Sequence, residues 1–170
     1  QVFFCNSGSE AVDSALKIAL AYHRMRGEGQ RTRLIGVSFA LLDFAEAFPI
    51  VVKHTVVMET GGMKGRKEEV TRAELHGRLC AGLGLTHIHS EYGMTELLSQ
   101  AYSTGQGIFR CPPWMKVVLR AEDDPFCFTD RHGLPLRQGL INVVDLANRH
   151  SCSFIATDDL GILHPDGSFE

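Results

Sequence analysis

What this sequence lacks narrows its reading before any motif is considered. It has no excess of one charge, with 17 Lys and Arg against 20 Asp and Glu. A general electrostatic pull toward nucleic acid or an anionic membrane is therefore not expected. It has no C-x-x-C pair, and its five cysteines (Cys5, Cys80, Cys111, Cys127, Cys152) are odd in number and widely spread. Reduced thiols fit that pattern better than a disulfide framework, and a cytoplasmic setting is the default expectation. No apolar run is long enough to span a bilayer, and Gln1-Val2-Phe3-Phe4 lacks the basic and apolar regions of a secretion signal. There is no internal repeat, and Met63 to Glu69 is the one conspicuous charge cluster, expected to be a solvated loop. An initiator Met is also missing, and the chain stops at Phe169-Glu170 just after a turn signal. A fragment cut at both ends is the expectation.

What is present is a chain of 170 residues, 44% hydrophobic and 22% charged, able to bury a core. Ser7-Gly8-Ser9-Glu10 has capping-box spacing, and Val12, Leu16, Ala19 and Tyr22 follow at helical intervals up to Gly27 and Gly29. Leu34 to Val37 reads as a strand, Phe39 to Phe48 as a helix stopped by Pro49, and His54 to Glu59 as a second strand. Gly61-Gly62 break that strand. Thr71 and Glu74 form a second capping box, Leu75, Leu79 and Leu83 make an apolar stripe ending at Gly84, and Thr86 to Ser90 is a third strand. Strands alternating with helices imply a parallel sheet, whose ligands bind beyond the carboxyl ends of its strands. Gly61-Gly62 and Tyr92-Gly93 fall at such ends. From Trp114 the pattern turns to β, with strands over Met115 to Leu119, Leu140 to Leu146 and Ser153 to Ala156, and a turn at Pro165-Asp166-Gly167. The expected fold class is α/β: a parallel βαβαβ portion followed by a β-rich portion.

The segment richest in chemistry is His89-Ser90-Glu91-Tyr92-Gly93-Met94-Thr95-Glu96, read as a strand, a glycine turn and a helix starting near Glu96. A glycine lets a base or ribose approach the backbone, and a helix N-terminus offers free N–H groups to phosphate. A nearby carboxylate can hold magnesium, which prefers oxygen ligands shared with phosphates. The plainer account makes Thr95 an N-cap and Glu96 a favourable first-turn charge, and spacing alone favours it. His87, His89 and Glu91 alternate on one strand face, as any such trio must, and with no fourth ligand a zinc site is not expected. Cys111 and Cys152 are candidate acyl-carrying thiols only in the weak sense that any cysteine is, because nothing near them lowers a thiol pKa.

Tyr92-Gly93-Met94-Thr95-Glu96 resembles the Y-G-x-T-E motif of the adenylate-forming ligase superfamily. Thr157-Asp158-Asp159-Leu160-Gly161 and Pro165-Asp166-Gly167 resemble its T-G-D-L-G segment and following D-G turn. Met58-Glu59-Thr60-Gly61-Gly62-Met63-Lys64-Gly65-Arg66 and Cys111-Pro112-Pro113-Trp114-Met115-Lys116 resemble the acyl-protein synthetase branch, the LuxE-type family, over about residues 34–170. The likeness implies part of the large N-terminal domain of an enzyme that uses ATP and Mg²⁺ to convert a carboxylic acid, expected to be fatty, into acyl-AMP for an acceptor thiol. It further implies that Tyr92, Gly93 and Met94 lie against adenine, Thr95 contacts phosphate, Glu96 binds Mg²⁺, Asp159 accepts from the ribose hydroxyls, and Gly61 and Gly62 border the acyl pocket. Thr95 and Glu96 are the catalytic candidates, acting by positioning and charge stabilisation.

Two departures are visible: Asp158 stands where the family has glycine, and Gly139-Leu140-Ile141-Asn142 lacks the Glu of its G-E-L motif. The family's upstream phosphate loop, hinge and C-terminal domain with its catalytic Lys are not found in these residues, so the isolated chain is expected to be inactive. Residues 2–36 have a different likeness. Asn6-Ser7-Gly8-Ser9-Glu10-Ala11-Val12 and Ala15-Leu16-Lys17-Ile18-Ala19 resemble a class III pyridoxal-phosphate aminotransferase, in which Gly8 and Ser9 would cradle the cofactor phosphate. The alternative is an ordinary capped helix. The implied organisation is an aminotransferase-like helical segment at 1–36 joined to a partial ligase domain at 37–170.

Overall fold

The computed structural model describes residues 18, 21–28, 32–48, 50–52, 55–61 and 70–170. Most of the expected first helix, and with it Gly8 and Ser9, lies outside the described residues. Residues 21–25 are helical, and His23 Nδ1 lies 3.0 Å from Glu28 Oε2 just beyond them.

The described chain forms strand β1 (Thr32–Val37), helix α1 (Ser38–Ala47), β2 (Thr55–Thr60), helix α2 (Arg72–Leu83), β3 (His89–Tyr92), β4 (Ala101–Ser103), β5 (Phe109–Arg110), β6 (Met115–Arg120), β7 (Gln138–Asp145) and β8 (Phe154–Ile162). A five-stranded sheet has the order β1-β2-β3-β4-β5, and a separate three-stranded sheet the order β6-β7-β8. The β1–β2 and β2–β3 pairs are parallel and all the others antiparallel. The α/β fold class, with its βαβαβ portion followed by a β-rich one, is as the sequence implies.

Helix α2 forms where its local signals place it. The Thr71 side chain accepts from the Glu74 amide, and Gly84 closes the helix at φ +65. Leu75, Leu79 and Leu83 then pack with Leu41, Leu42 and Ala45 of α1, Val57 of β2 and Ile88 just before β3. The two helices approach closely because Gly82 has no side chain, since a Cβ there would lie 3.1 Å from both the Cβ and the carbonyl oxygen of Ala45. A second core unites β4–β5 with the smaller sheet through Leu97, Ala101, Phe109, Met115, Val117, Ile141, Val143 and Phe169. Phe109 and Phe169 exchange backbone hydrogen bonds of 2.7 and 3.1 Å.

Two expectations need correction. The third strand begins at His89, three residues after Thr86. No helix starts near Glu96: residues 95–96 form a turn, and 97–100 run on without helical structure. The cause is Asp145, fully buried at the end of β7. Its Oδ2 accepts from the amides of Leu98 (3.0 Å) and Ser99 (2.8 Å), and its Oδ1 from Ser99 Oγ (2.8 Å) and the Ala147 amide (3.1 Å). Amides drawn to this carboxylate are not paired in a helical ladder.

Burial raises the carboxyl pKa of Asp145, but the hydrogen bonds from Ser99, Ala147 and Leu98 outweigh it and the net shift is downward. A folded-state pKa below the unfolded value of about 3.9 means a stabilisation fully present above that pH and lost as pH falls through the folded value. Asp145→Asn replaces one acceptor oxygen with a donor facing donors, and is expected to lose about 3 kcal/mol at pH 7. Urea unfolding of both proteins at pH 7 and pH 3 checks this. The gap between them should narrow at the lower pH, and a gap independent of pH would count against the ionised network.

Candidate functional site

The site is built where the two sheets meet, from the end of β3 and the middle of β8. Strand β3 delivers Tyr92 at its carboxyl end. The Tyr92 ring packs edge-on against Phe169 at 5.3 Å and Phe109 at 6.0 Å. Its hydroxyl donates to Asp159 Oδ2 at 2.8 Å across 67 residues of chain. Burial first, then the hydrogen bond and charge of Asp159, raise the Tyr92 phenol pKa far above its ordinary value.

Asp159 reaches Tyr92 because β8 is bulged. Leu140 pairs with Leu160 and Asn142 with Ala156, so Ile141 alone faces Thr157, Asp158 and Asp159. Such a bulge orphans backbone groups and redirects side chains. Here Thr157 supplies the missing partners, donating its hydroxyl to the Ile141 carbonyl (2.9 Å) and accepting from the Asp159 amide (3.2 Å). Arg120 Nη1 braces the same turn by donating to the Thr157 carbonyl (3.0 Å) and Asn142 Oδ1 (3.3 Å). Below the bulge Gly139 pairs with Gly161. A Cβ on Gly139 would sit 2.3 Å from the Arg120 carbonyl oxygen, and one on Gly161 2.8 Å from Ile141 Cδ1. Both contacts are closer than side chains tolerate.

Gly93 follows Tyr92 and is exposed. Met94 is half-buried against the second core, and its carbonyl accepts from the Leu97 amide at 3.1 Å. Thr95 and Glu96 are exposed in the turn. The Glu96 carbonyl accepts from Asn148 Nδ2 at 2.8 Å, which fixes the backbone there. Gly61 lies apart from this group, at the end of β2 with φ +66, and its carbonyl accepts from Ser38 Oγ. Gly62 lies outside the described residues. The structure thus brings Tyr92 and Asp159 into contact, sets Gly93 to Glu96 directly after Tyr92, and leaves Gly61 on a neighbouring strand end.

The residues that hold this arrangement were given no role by the sequence: Asp145, Ser99 and Arg120, and beside Gly61 the buried Glu59. Glu59 Oε2 accepts from Ser38 Oγ at 2.8 Å, while its Oε1 lies 3.4 Å from His76 Nε2 and 3.9 Å from Arg72 Nε. Burial raises its pKa, but bonds to His76, Ser90 and Ser38 and the charge of Arg72 bring it below the usual carboxylate value. For Glu59 and Asp145 the signal was a lone charge ending an apolar run, Val56-Val57-Met58-Glu59 and Val143-Val144-Asp145. No group of three His, Cys, Asp or Glu that could hold a metal is found among the described residues. Among the described residues no helix is long and apolar enough to cross a membrane. A groove of about 510 Å³ lined by Ser99, Arg110, Cys111 and Trp114 lies nearby, but Tyr92 and Asp159 do not line it.

This architecture, a parallel sheet continued by antiparallel strands and followed by a small separate sheet, is the fold of the N-terminal domains of adenylate-forming enzymes. It is similar to solved structures of O-succinylbenzoate coenzyme A synthetase from Bacillus subtilis. The unliganded form overlays with a TM-score of 0.51 at 17% identity, covering 91% of this chain and 33% of that one. A double mutant bound to a product analogue gives 0.54 at 18% identity, over 91% and 32%, and a complex with ATP and magnesium gives 0.50 at 18%, over 91% and 33%. The chain thus spans about a third of the length of the enzymes it overlays. No family model matches the sequence. A stretch of 36 residues is 75% identical to an omega-aminotransferase of Caulobacter vibrioides, covering 21% of this chain and 8% of that protein. Over 35 residues the chain is 54% identical to a beta-alanine–pyruvate aminotransferase of Pseudomonas aeruginosa, with the same shares of each chain.

Gly139→Ala is expected to destabilise the protein by about 3 kcal/mol, because the clashing atom is backbone and cannot swing aside. Thermal unfolding of this variant beside Gly133→Ala, whose Cβ would meet nothing within 4 Å although its φ is +76, separates crowding from backbone strain. Equal losses would mean that the close approach to Arg120 is not what demands glycine.

Proposed function

We propose that this chain is part of an ATP-dependent acyl-activating ligase. The reaction is attack of a substrate carboxylate on the α-phosphate of ATP, giving acyl-AMP and pyrophosphate, followed by transfer of the acyl group to a thiol. The observation that carries this reading is the 2.8 Å contact between Tyr92 and Asp159. It joins the first residue of the Y-G-x-T-E string to the last acid of Thr157-Asp158-Asp159, although 67 residues separate them.

The residues present suit a magnesium nucleotide. Asp159 is an exposed carboxylate whose Oδ1 has no protein donor among the described residues, as a ribose hydroxyl requires. Gly93 lets the exposed backbone after Tyr92 be approached by a base, while Gln100 Cγ fills the space where a Cβ would lie, at 2.9 Å. Thr95 supplies a hydroxyl for phosphate, and Glu96 an exposed hard oxygen. With no three-residue metal cluster among the described residues, an ion at Glu96 would complete its shell from phosphate and water, which is the habit of magnesium. When bound, Mg²⁺ would neutralise phosphate charge there. Within this chain the work is positioning: Asp159 and Tyr92 hold the nucleoside end and Thr95 and Glu96 the phosphate end. No side chain acts as a nucleophile.

The finer reading is an acyl-protein synthetase of the LuxE type acting on a fatty acid, with Gly61 and Gly62 bordering the acyl pocket. It is supported by the strings Met58 to Arg66 and Cys111 to Lys116. The proposed organisation keeps an aminotransferase-like segment at 1–36 and a partial ligase domain at 37–170. The 36-residue match to an aminotransferase supports the first part. Strand β1 crosses that junction and pairs with β2 from Thr32 to Val37.

Calorimetric titration with Mg-ATP tests the reading. Saturable binding is expected, weakened about tenfold by Asp159→Ala and several-fold by Thr95→Ala, the scale of losing one hydrogen bond to a charged group and one neutral one. A folded chain that binds neither Mg-ATP nor a non-hydrolysable acyl-adenylate analogue would overturn it.

A further inference from the structure

We propose that the Tyr92 hydroxyl is a positioning group that aims Asp159 at a vicinal diol, so that Tyr92 sets selectivity for ribose over deoxyribose. This rests on the nucleotide reading above and goes beyond it, because that reading gives Tyr92 only a ring beside the base.

The argument starts from how weakly Asp159 would otherwise be held. It is exposed, on a three-residue bulge. Its backbone is fixed by Thr157, whose hydroxyl accepts the Asp159 amide at 3.2 Å. Its carboxylate has one protein donor among the described residues, the Tyr92 hydroxyl on Oδ2. An exposed aspartate with no such partner samples several rotamers, and fixing it on binding costs affinity. The phenol removes that freedom in advance. It can do so because the Tyr92 ring packs edge-on against both Phe109 and Phe169, which stack on each other at 5.4 Å.

The stoichiometry also fits. A carboxylate accepts about four hydrogen bonds, so one phenol and two ribose hydroxyls are accommodated together and Tyr92 need not leave. A deoxyribose would supply one donor fewer to an acceptor already aimed. The neighbouring carboxylate cannot substitute for Asp159. Asp158 is fully exposed and lies 3.9 Å from Arg120 Nη2, on the cation that braces the bulge.

The test compares wild type, Tyr92→Phe and Asp159→Asn, using Mg-ATP, Mg-2′-deoxy-ATP and Mg-3′-deoxy-ATP as probes of the full chain. Wild type is expected to prefer ATP over either deoxy form by about tenfold, the scale of one hydrogen bond to a charged group. Tyr92→Phe keeps the ring and its packing, and should bring that preference to about threefold or less by weakening ATP more than either deoxy form. A role confined to stacking or folding would weaken all three nucleotides alike and keep their ratio. Ultraviolet titration of tyrosine adds a readout without nucleotide: Asp159→Asn should bring one phenol down toward its ordinary range. An unchanged ATP preference in Tyr92→Phe overturns the inference and leaves the nucleotide reading standing. Failure of wild type to bind any of the three overturns both.

Discussion

The Asp145 carboxylate is the constraint on which the candidate site depends. The described residues form two cores, one between the helices and the parallel strands and one beneath the smaller sheet, and apolar contact alone would let the loop between them adopt many paths. Burying an ionised carboxylate without partners is prohibitive. Four donors offset that cost, three of them from Leu98 and Ser99. Trp114 extends the network by donating its indole N–H to Ser99 Oγ at 2.9 Å. Asn148 extends it again by donating one amide group to the carbonyls of Glu96 and Cys152. The backbone from Glu96 to Ser99 is therefore fixed by the smaller sheet, and Thr95 and Glu96 are presented on a tethered turn with their side chains exposed.

Glu59 plays a comparable part on the other side. It too is a buried carboxylate near the carboxyl end of a strand, and it gathers Ser38 from the start of α1 and His76 and Arg72 from α2. Arg72 continues outward and lies 5.0 Å over the Phe109 ring, one of the two rings that hold Tyr92. A path of direct contacts thus runs from Glu59 through Arg72 and Phe109 to Tyr92 and Asp159. Each link is a charge or a ring, so geometry at the Gly61 end and geometry at Asp159 share the same supports.

Legibility in the sequence followed the range of the forces. Helix α2 could be read from its cap at Thr71 and Glu74, its stripe at Leu75, Leu79 and Leu83 and its stop at Gly84, because each signal acts within a few residues. Strands β4 and β5 were missed because three and two residues carry no periodicity. They exist through pairing with β3 and with Phe169, which no local pattern announces. The helix expected near Glu96 was a sound local reading overruled from 46 residues away by Asp145. The last strand was expected to end at Ala156, yet residues 157–161 lie within β8. The bulge reconciles the two, giving a loop-like surface on a strand that continues beyond it. Tyr92 and Asp159 could be flagged separately by resemblance, whereas their contact required the fold.

Asp158, which stands where the motif it resembles has glycine, can be judged on the same physical grounds. A glycine is needed where φ is positive or where a Cβ would strike a neighbour. Among the described residues the one non-glycine with positive φ is Gln106, so Asp158 occupies a backbone region open to any residue. Its side chain is fully exposed and strikes nothing. The glycines the bulge does require are Gly139 and Gly161, where a Cβ would meet the Arg120 carbonyl and the Ile141 side chain, and both are present. Asp158 therefore leaves the path of the bulge unaltered and adds one negative charge beside Arg120, at a distance where solvent screens most of the attraction. The carboxylate geometry at Asp159 depends on Thr157, Arg120 and Tyr92, and none of these contacts passes through the side chain at 158.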